Sequence, residues 1–70
     1  MQALSNVRPG ESCTIKWMFG LQEVLDFLHS RHVEEGRTVH VIQQCRDSVI
    51  IGVDGVRLAL GNEIAERIKV

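Results

Sequence analysis

The chain has 70 residues, of which 44% are hydrophobic and 24% charged, and its formal net charge is -1. A chain this short forms one domain and buries only roughly 60% of its unfolded surface, so its core is small. With two cysteines and no basic run, it is neither a disulfide-rich secreted domain nor a protein that binds nucleic acid through positive charge. We therefore expect no direct contact with nucleic acid.

The first residues and the cysteines indicate a cytoplasmic protein. Residues 1–6 lack a basic region followed by an apolar run, so we expect no signal peptide. No apolar stretch approaches the ~20 residues that cross a bilayer. Cys13 and Cys45 lie far apart without a CxxC pair, and we expect both to be reduced thiols. Any contact with a membrane is expected to run through a partner protein.

The first predicted strand is Ser12–Met18, which follows a turn at Pro9-Gly10. Proline presets φ and glycine supplies positive φ, so this dipeptide is a strong turn signal. Three side chains alternate onto one face of the strand: Cys13, Ile15 and Trp17. We expect that face to be buried, with Trp17 in the core and Cys13 acting as a small hydrophobic residue.

A helix is predicted over residues 21–31, after Gly20 ends the strand. Four apolar residues spaced one helical turn apart form a single stripe: Leu21, Val24, Leu25 and Leu28. No ion pair along the helix supports it, so packing of the stripe must hold it. The segment before Gly36 should end the helix, since this glycine is free to adopt a left-handed turn.

The second half of the chain has the pattern of β-structure. Thr38–Gln44 is rich in β-branched residues, and Ser48–Val53 places valine and isoleucine on one face. Asp54-Gly55 is the strongest hairpin signal, because a type I′ turn needs positive φ at both central positions. After this turn, three apolar side chains should point inward: Val56, Leu58 and Leu60.

The chain should close with a helical turn and a last strand. Asn62 is predicted to cap a turn over Glu63–Glu66, and Ile68 and Val70 complete the sheet. Four or five short strands with one helix cannot form a two-sheet sandwich. We therefore predict a mainly β fold, an SH3-like small β-barrel of about five short strands with one helix inserted after the first strand.

No combination of residues predicts catalysis or a metal site. The candidate metal ligands are three histidines and two cysteines: His29, His32, His40, Cys13 and Cys45. His29 and His32 share a helix face, but a metal site needs three or four converging ligands, so we expect none. Glu34 and Glu35 lie in a turn without a cleft, and no phosphate-binding glycine loop is present. We expect no cofactor and no enzymatic activity.

The remaining apolar side chains predict a surface for a partner protein. Phe27 lies about 60° beyond the edge of the helix stripe, so it should be partly exposed. Met18 and Phe19 lie at the end of the first strand. A large apolar residue in such a place marks a partner surface or widens the core face, and the sequence favours neither. Phe27, Met18 and Phe19 are the candidate partner-binding residues.

The order of these segments resembles the FeoA family over nearly the whole chain. The resemblance comes from an opening leucine, a Pro-Gly-Glu turn, a helix leucine and turn glycine, a β-branched strand and two closing segments: Leu4, Pro9–Glu11, Leu28, Gly36, Val39–Ile42, Gly55–Leu60 and Ala65–Val70. Each motif is weak alone, but their order and spacing are specific together. The chain departs from the family pattern at two places. It has Arg31-His32-Val33 where the family has Leu-Gly-Leu, and it has Asp26-Phe27 where the family carries an arginine just before the helix leucine.

The resemblance implies a cytoplasmic accessory protein of bacterial ferrous iron uptake. Such a protein docks on the cytosolic domain of the FeoB transporter by protein–protein contact, and we expect a monomer or weak homo-oligomer. An alternative is a metal-responsive regulatory module, because the same small barrel occurs at the end of metal-dependent transcriptional repressors. A third interpretation, an adaptor for proline-rich peptides, is less favoured because the chain has no tyrosine and one tryptophan.

Overall fold

A computed structural model describes residues 1–70 as two antiparallel sheets and two short helices around one apolar core. The strands are β1 (Ser12–Thr14), β2 (Trp17–Met18), β3 (Thr38–Gln44), β4 (Ser48–Val53), β5 (Val56–Gly61) and β6 (Ile68–Lys69). The helices are α1 (Gln22–Ser30) and α2 (Asn62–Ala65), and a 3-10 turn lies at Leu4–Asn6.

The larger sheet has four strands in the order β1-β3-β4-β5, and β2 pairs with β6 in a second sheet. The two ends of the chain close the structure, since the amide of Gln2 donates to the Val70 carbonyl (3.1 Å) and the amide of Val70 donates back (2.8 Å). The chain is mainly β with an SH3-like arrangement, as predicted. It has six strands and two helices where about five strands and one helix were expected.

The core consists of apolar side chains alone, with no buried polar side chain. Its members are Leu4, Val7, Ile15, Met18, Leu28, Val33, Val39, Val41, Val49, Ile51, Val53, Leu60, Ala65, Ile68 and Val70. β4 is one of the two inner strands of the larger sheet and contributes every second residue to this cluster. Burial of one valine or leucine side chain stabilises the fold by roughly 1.5–3 kcal/mol, so this cluster is the main source of stability.

The predicted strand Ser12–Met18 is divided into two strands in different sheets. β1 pairs with β3, whereas β2 pairs with β6. The change occurs at Ile15, whose amide donates to the Arg37 carbonyl (2.9 Å), and at Lys16, whose amide donates to the Lys69 carbonyl (2.7 Å). The helix α1 therefore follows two strands and not one.

This division changes which side chains of β2 point inward. Lys16 and Trp17 are both exposed, and they lie between two buried residues, Ile15 and Met18. Trp17, predicted in the core, is 43% exposed, whereas Met18, predicted at a partner surface, is 8% exposed and packs in the core. Alternation holds only within one strand, so continuing it through the break placed both side chains wrongly.

The helix α1 is one residue shorter at each end than predicted and contacts the core unevenly. Leu28 is fully buried, while Val24 and Leu25 are only half-buried against the core. Leu21, the fourth member of the predicted stripe, precedes the helix in an extended conformation and is 63% exposed. The helix is therefore held most closely at its C-terminal end.

The helix ends at Ser30, and the left-handed residue that follows it is His32 rather than Gly36. His32 has a φ of 66°, so it lies in the left-handed region that most side chains avoid. The carbonyl of Leu28 accepts hydrogen bonds from the amides of Arg31 (3.0 Å) and Val33 (2.9 Å). A left-handed residue after the last helical turn permits this closure, and glycine adopts that conformation with least strain. Gly36, with a φ of 88°, forms the next turn, as predicted.

The hairpin between β4 and β5 turns at Asp54-Gly55, as predicted. Its two central residues have φ values of 52° and 77°, which is the requirement of a type I′ turn. The Asp54 carboxylate accepts two hydrogen bonds from Nη1 of Arg37, at 2.9 and 3.2 Å. Val56, predicted to point inward, is 56% exposed because it directly follows the turn, while Leu60 farther along β5 is buried.

Asn62 does not cap α2, which corrects the sequence interpretation. It is the first residue of the helix, and the capping position is Gly61. Nδ2 of Asn62 donates to the Arg46 carbonyl (3.1 Å), and its backbone amide donates to the Asp47 carbonyl (3.0 Å). This side chain therefore ties α2 to the turn between β3 and β4.

The two cysteines are free thiols in different surroundings. Cys13 on β1 is half-buried and packs against the core, as predicted. Burial raises the pKa of the Cys13 thiol, and the negative charge of Glu11 raises it further. Cys45 is exposed in the turn after β3. The thiolate is the nucleophilic form, so the two thiols should differ in reactivity.

We expect iodoacetamide to alkylate Cys45 several times faster than Cys13 at neutral pH. The raised pKa keeps Cys13 protonated, and burial restricts access to its sulfur. Mass spectrometry of Cys13→Ser and Cys45→Ser, each with one thiol left, measures the two rates. Equal rates would show that Cys13 is not shielded in solution.

We expect His32→Gly to raise the free energy of unfolding by about 0.5–1 kcal/mol. The left-handed conformation costs a side chain roughly 1–2 kcal/mol, and the greater freedom of glycine in the unfolded chain offsets part of that gain. The opposite change, Gly36→Ala, should lower stability by about 1 kcal/mol, because a Cβ there meets no atom but strains the backbone. Urea unfolding of both variants measures the two effects, and a loss of stability in His32→Gly would contradict the assigned conformation.

Candidate functional site

An apolar groove lies between the end of α1 and the β4–β5 hairpin. Its volume is about 220 Å³. We call it the helix–hairpin groove, and its lining residues are Ser30, Arg31, His32, Val53, Val56 and Leu58. Val56 is exposed at the hairpin, whereas Val53 belongs to the core, so the groove leads from solvent to the edge of the core. Its walls offer an apolar contact surface beside one permanent positive charge.

Phe27 lies beside Arg31, one of the residues that line this groove. Its ring is 43% exposed, which agrees with the predicted partial exposure. The guanidinium carbon of Arg31 lies 5.4 Å from the centre of the Phe27 ring, and Arg31 itself lines the groove. The stacked arginine covers part of the ring and links it to the apolar walls. Arg31 therefore connects the Phe27 ring with the groove.

Charged side chains hold the segment after α1 against the hairpin. Arg37 bonds Asp54 at 2.9 Å and lies 4.0 Å from Glu34. Nδ1 of His32 lies 3.8 Å from the Asp54 carboxylate, and Nε2 of His29 lies 3.6 Å from Glu35, each an ion pair when the histidine is protonated. These groups are exposed to solvent, so each pair stabilises the fold little. The two pairs with Asp54 connect the segment after α1 to the hairpin across the groove.

A second apolar surface lies on the outer side of β2 and β6. The rings of Trp17 and Phe19 lie 4.9 Å apart, and Phe19 is 42% exposed. Nε1–H of Trp17 donates to Sδ of Met1 (2.8 Å), and Nζ of Lys69 lies 5.8 Å from the Phe19 ring.

The structure thus separates the three candidate partner-binding residues. Phe27 lies at the helix–hairpin groove, Phe19 lies beside Trp17, and Met18 is buried. Sequence reasoning missed Trp17 as a surface residue. No local signal could have found it, because Lys16 fits the alternation of a single strand and the break depends on hydrogen bonds to Arg37 and Lys69.

A polar cleft of about 250 Å³ lies on another part of the barrel. Its lining residues are Ser5, Asn6, Gln44, Cys45, Val49, Asn62 and Glu66. The amides that line it are already used within the chain, since Nε2 of Gln44 donates to the carbonyls of Ser5 (2.9 Å) and Val7, and Asn62 bonds Arg46. The hydrogen bonds of Gln44 therefore join the 3-10 turn to β3.

The histidines and cysteines do not form a metal-binding cluster. No group of three His, Cys, Asp or Glu side chains converges anywhere in the structure. His29 and His32 each face a different carboxylate, and Nδ1 of His40 lies 3.0 Å from Oγ of Ser12. Neither helix is long and apolar enough to span a bilayer.

Comparisons with known proteins agree with this architecture. The crystal structure of an iron uptake regulatory protein (FeoA) is 30% identical, with 94% of this chain and 89% of that chain covered and a TM-score of 0.85. The solution structure of the FeoA protein from Chlorobium tepidum is 18% identical, with coverages of 97% and 67% and a TM-score of 0.90. No curated protein matches the sequence.

The same fold also occurs inside larger proteins. A manganese-dependent transcriptional repressor matches with a TM-score of 0.87 over 96% of this chain but only 39% of its own length. At 17% identity this likeness shows the fold alone.

The sequence itself matches the family model described as FeoA domain over residues 2–70. This family consists of small accessory domains rather than enzymes, and membership implies involvement in ferrous iron transport. Since the match spans almost every residue, the chain belongs to the FeoA domain family.

Proposed function

We propose that this chain is a cytoplasmic accessory protein of bacterial ferrous iron uptake that binds the cytosolic domain of the FeoB transporter. Membership of the FeoA family over residues 2–70 is the observation that carries this proposal. The protein acts by contact with its partner and takes no part in covalent chemistry.

The docking surface is Phe27 together with the helix–hairpin groove. Interface energy concentrates in a few apolar or aromatic anchors beside well-packed pockets, and arginine is enriched among them. Phe27 supplies an exposed ring, Arg31 supplies a charge fixed against that ring, and Val56 supplies an exposed apolar wall. Of the three candidate partner-binding residues, this docking surface includes only Phe27, because Met18 is buried and Phe19 lies in another surface.

The backbone of His32 gives further support to this location. Its φ of 66° is uncommon for a residue other than glycine. Strain of this kind is concentrated at sites with a function, because nothing in folding itself favours it. His32 lines the groove next to Arg31, so its imidazole forms part of the groove wall.

A second candidate function is a metal-responsive regulatory module. The likeness to the manganese-dependent repressor, with a TM-score of 0.87, supports it. The formal net charge of -1 disfavours direct contact with DNA, so such a module would act on another protein. The two functions differ in their need for metal, since a regulatory module changes its stability or binding when metal is removed.

We expect Phe27→Ser to weaken binding to the isolated FeoB cytosolic domain at least tenfold. Loss of one apolar anchor costs ~2 kcal/mol or more, and each decade of affinity corresponds to about 1.4 kcal/mol. Isothermal titration measures the affinity, and a melting curve checks that the barrel remains folded. Phe19→Ser is the matched control, because the two rings are 43% and 42% exposed.

Each alternative outcome has a distinct meaning. Unfolding of Phe27→Ser shows that this ring is required by the core. A folded Phe27→Ser protein with unchanged affinity places the docking surface elsewhere, and a loss of affinity in Phe19→Ser alone places it on β2 and β6.

We expect EDTA to leave the Tm of the purified chain unchanged. The core is apolar throughout, and no three candidate ligands converge, so folding needs no metal. Differential scanning calorimetry with and without chelator measures the effect. For a domain of this size, roughly 1 kcal/mol of metal binding corresponds to ~4–8 °C, and a drop of that size would favour the regulatory function.

A further inference from the structure

The outer side of β2 and β6 combines aromatic rings with positive charges. Trp17 lies opposite Lys69 in the antiparallel register, and the amide of Phe19 donates to the carbonyl of Arg67 (3.2 Å). Opposite residues of an antiparallel pair, and residues two apart on one strand, point to the same side. Four side chains therefore share this side, which we call the cationic aromatic face: Trp17, Phe19, Arg67 and Lys69.

The positive charges of this face have no carboxylate partner. None of the ion pairs in the structure includes Arg67, Lys69 or the neighbouring Lys16. Nζ of Lys69 donates to the backbone carbonyl of Glu66 (2.9 Å), which leaves its charge uncompensated. Three of the eight Lys and Arg residues, including both lysines, thus lie at this small sheet. Arg37 is the one Lys or Arg residue that forms an ion pair, so what distinguishes this sheet is that three cations lie beside two exposed aromatic rings.

The aromatic rings are held in exposed positions rather than packed away. Trp17 and Phe19 stack at 4.9 Å, the Met1 side chain accepts a hydrogen bond from the Trp17 indole, and Met1 is 78% exposed. The Arg67 side chain passes the backbone of Gly20, where a Cβ would lie 3.7 Å from its Cδ. The guanidinium therefore lies beside Gly20, the residue that follows Phe19.

An anionic bilayer surface matches this chemistry. Tryptophan is enriched at the headgroup level, where its apolar ring and its N–H are both satisfied. Lysine and arginine are attracted to anionic headgroups, each by an amount that corresponds to about fivefold in affinity. A protein partner would need a separate acidic side chain for each of these cations, whereas an anionic lipid surface presents many charged headgroups at once. The charge pattern therefore favours lipid.

We propose that the cationic aromatic face binds the anionic headgroup surface of a membrane directly. Trp17 and Phe19 enter the headgroup layer, and Arg67 and Lys69 contact the lipid phosphates. This contact does not depend on the proposed docking to FeoB, since Phe27 and the helix–hairpin groove contribute no residue to it. It differs from the sequence-based expectation that membrane contact runs only through a partner.

The sole tryptophan of the chain provides the measurement. Fluorescence of Trp17 is recorded while the full chain is titrated with vesicles of equimolar phosphatidylglycerol and phosphatidylcholine. We expect a blue shift of the emission, because the half-exposed indole moves from water into the headgroup layer. The shift should disappear at high ionic strength, where charges on a surface are screened. Vesicles of phosphatidylcholine alone should give no shift.

Charge variants test the role of the cations. Arg67→Gln and Lys69→Gln should each weaken binding to the mixed vesicles about fivefold. Arg57→Gln is the matched control, because Arg57 is also exposed, forms no ion pair and lies on β5, outside this face. Circular dichroism melts confirm that all three variants are folded, and the control should bind as the natural chain does.

Several results would overturn the proposal. One is the absence of a blue shift with the mixed vesicles. Another is an equal loss of affinity in Arg57→Gln, which would show an effect of net charge without a defined face. A third is a shift of Trp17 emission on adding the FeoB cytosolic domain, or on raising the protein concentration, with none on adding vesicles. That result would assign the face to a protein interface.

Discussion

The structure depends on the point where the chain leaves one sheet and enters the other. Ile15 is the last residue tied to the larger sheet: its amide donates to the Arg37 carbonyl, and its own carbonyl accepts from the Gly36 amide (2.8 Å). Its side chain is fully buried, which fixes the position of the break. The next residue, Lys16, already bonds Lys69 in the small sheet. One buried isoleucine thus joins the two sheets and the turn after α1.

This junction determines what the barrel exposes. With two consecutive outward residues at the break, Met18 turns into the core while Trp17 and Phe19 turn to solvent. The same junction anchors the turn at Gly36, and through Arg37 it fixes the hairpin at Asp54. The helix–hairpin groove and the cationic aromatic face are therefore both consequences of how the chain crosses between sheets. A small barrel gains two distinct contact surfaces without any additional element.

The sequence predicted those features that local chemistry decides. Asp54-Gly55 requires positive φ and turns as expected, Gly36 adopts its left-handed conformation, and the family pattern is read from local segments. The features that failed depend on partners distant in sequence. The break after Ile15 depends on hydrogen bonds from the amide of Ile15 to Arg37 and from the amide of Lys16 to Lys69. The side chain of Asn62 donates to the Arg46 carbonyl instead of capping α2. For the candidate site, the exposure of Phe27 followed from helical periodicity, whereas the groove beside it needed the hairpin to be placed.

Membership of the FeoA family connects these surfaces with ferrous iron transport, a process that takes place at a membrane. If one surface binds the transporter and the other binds lipid, the two surfaces should respond to different partners. NMR chemical shifts of the 15N-labelled chain, recorded while the isolated FeoB cytosolic domain is added, test this division most directly. We expect the perturbed amides to lie in residues 27–32 and 53–58, with residues 17–19 and 67–69 unchanged. Perturbation confined to residues 17–19 and 67–69 would contradict the account.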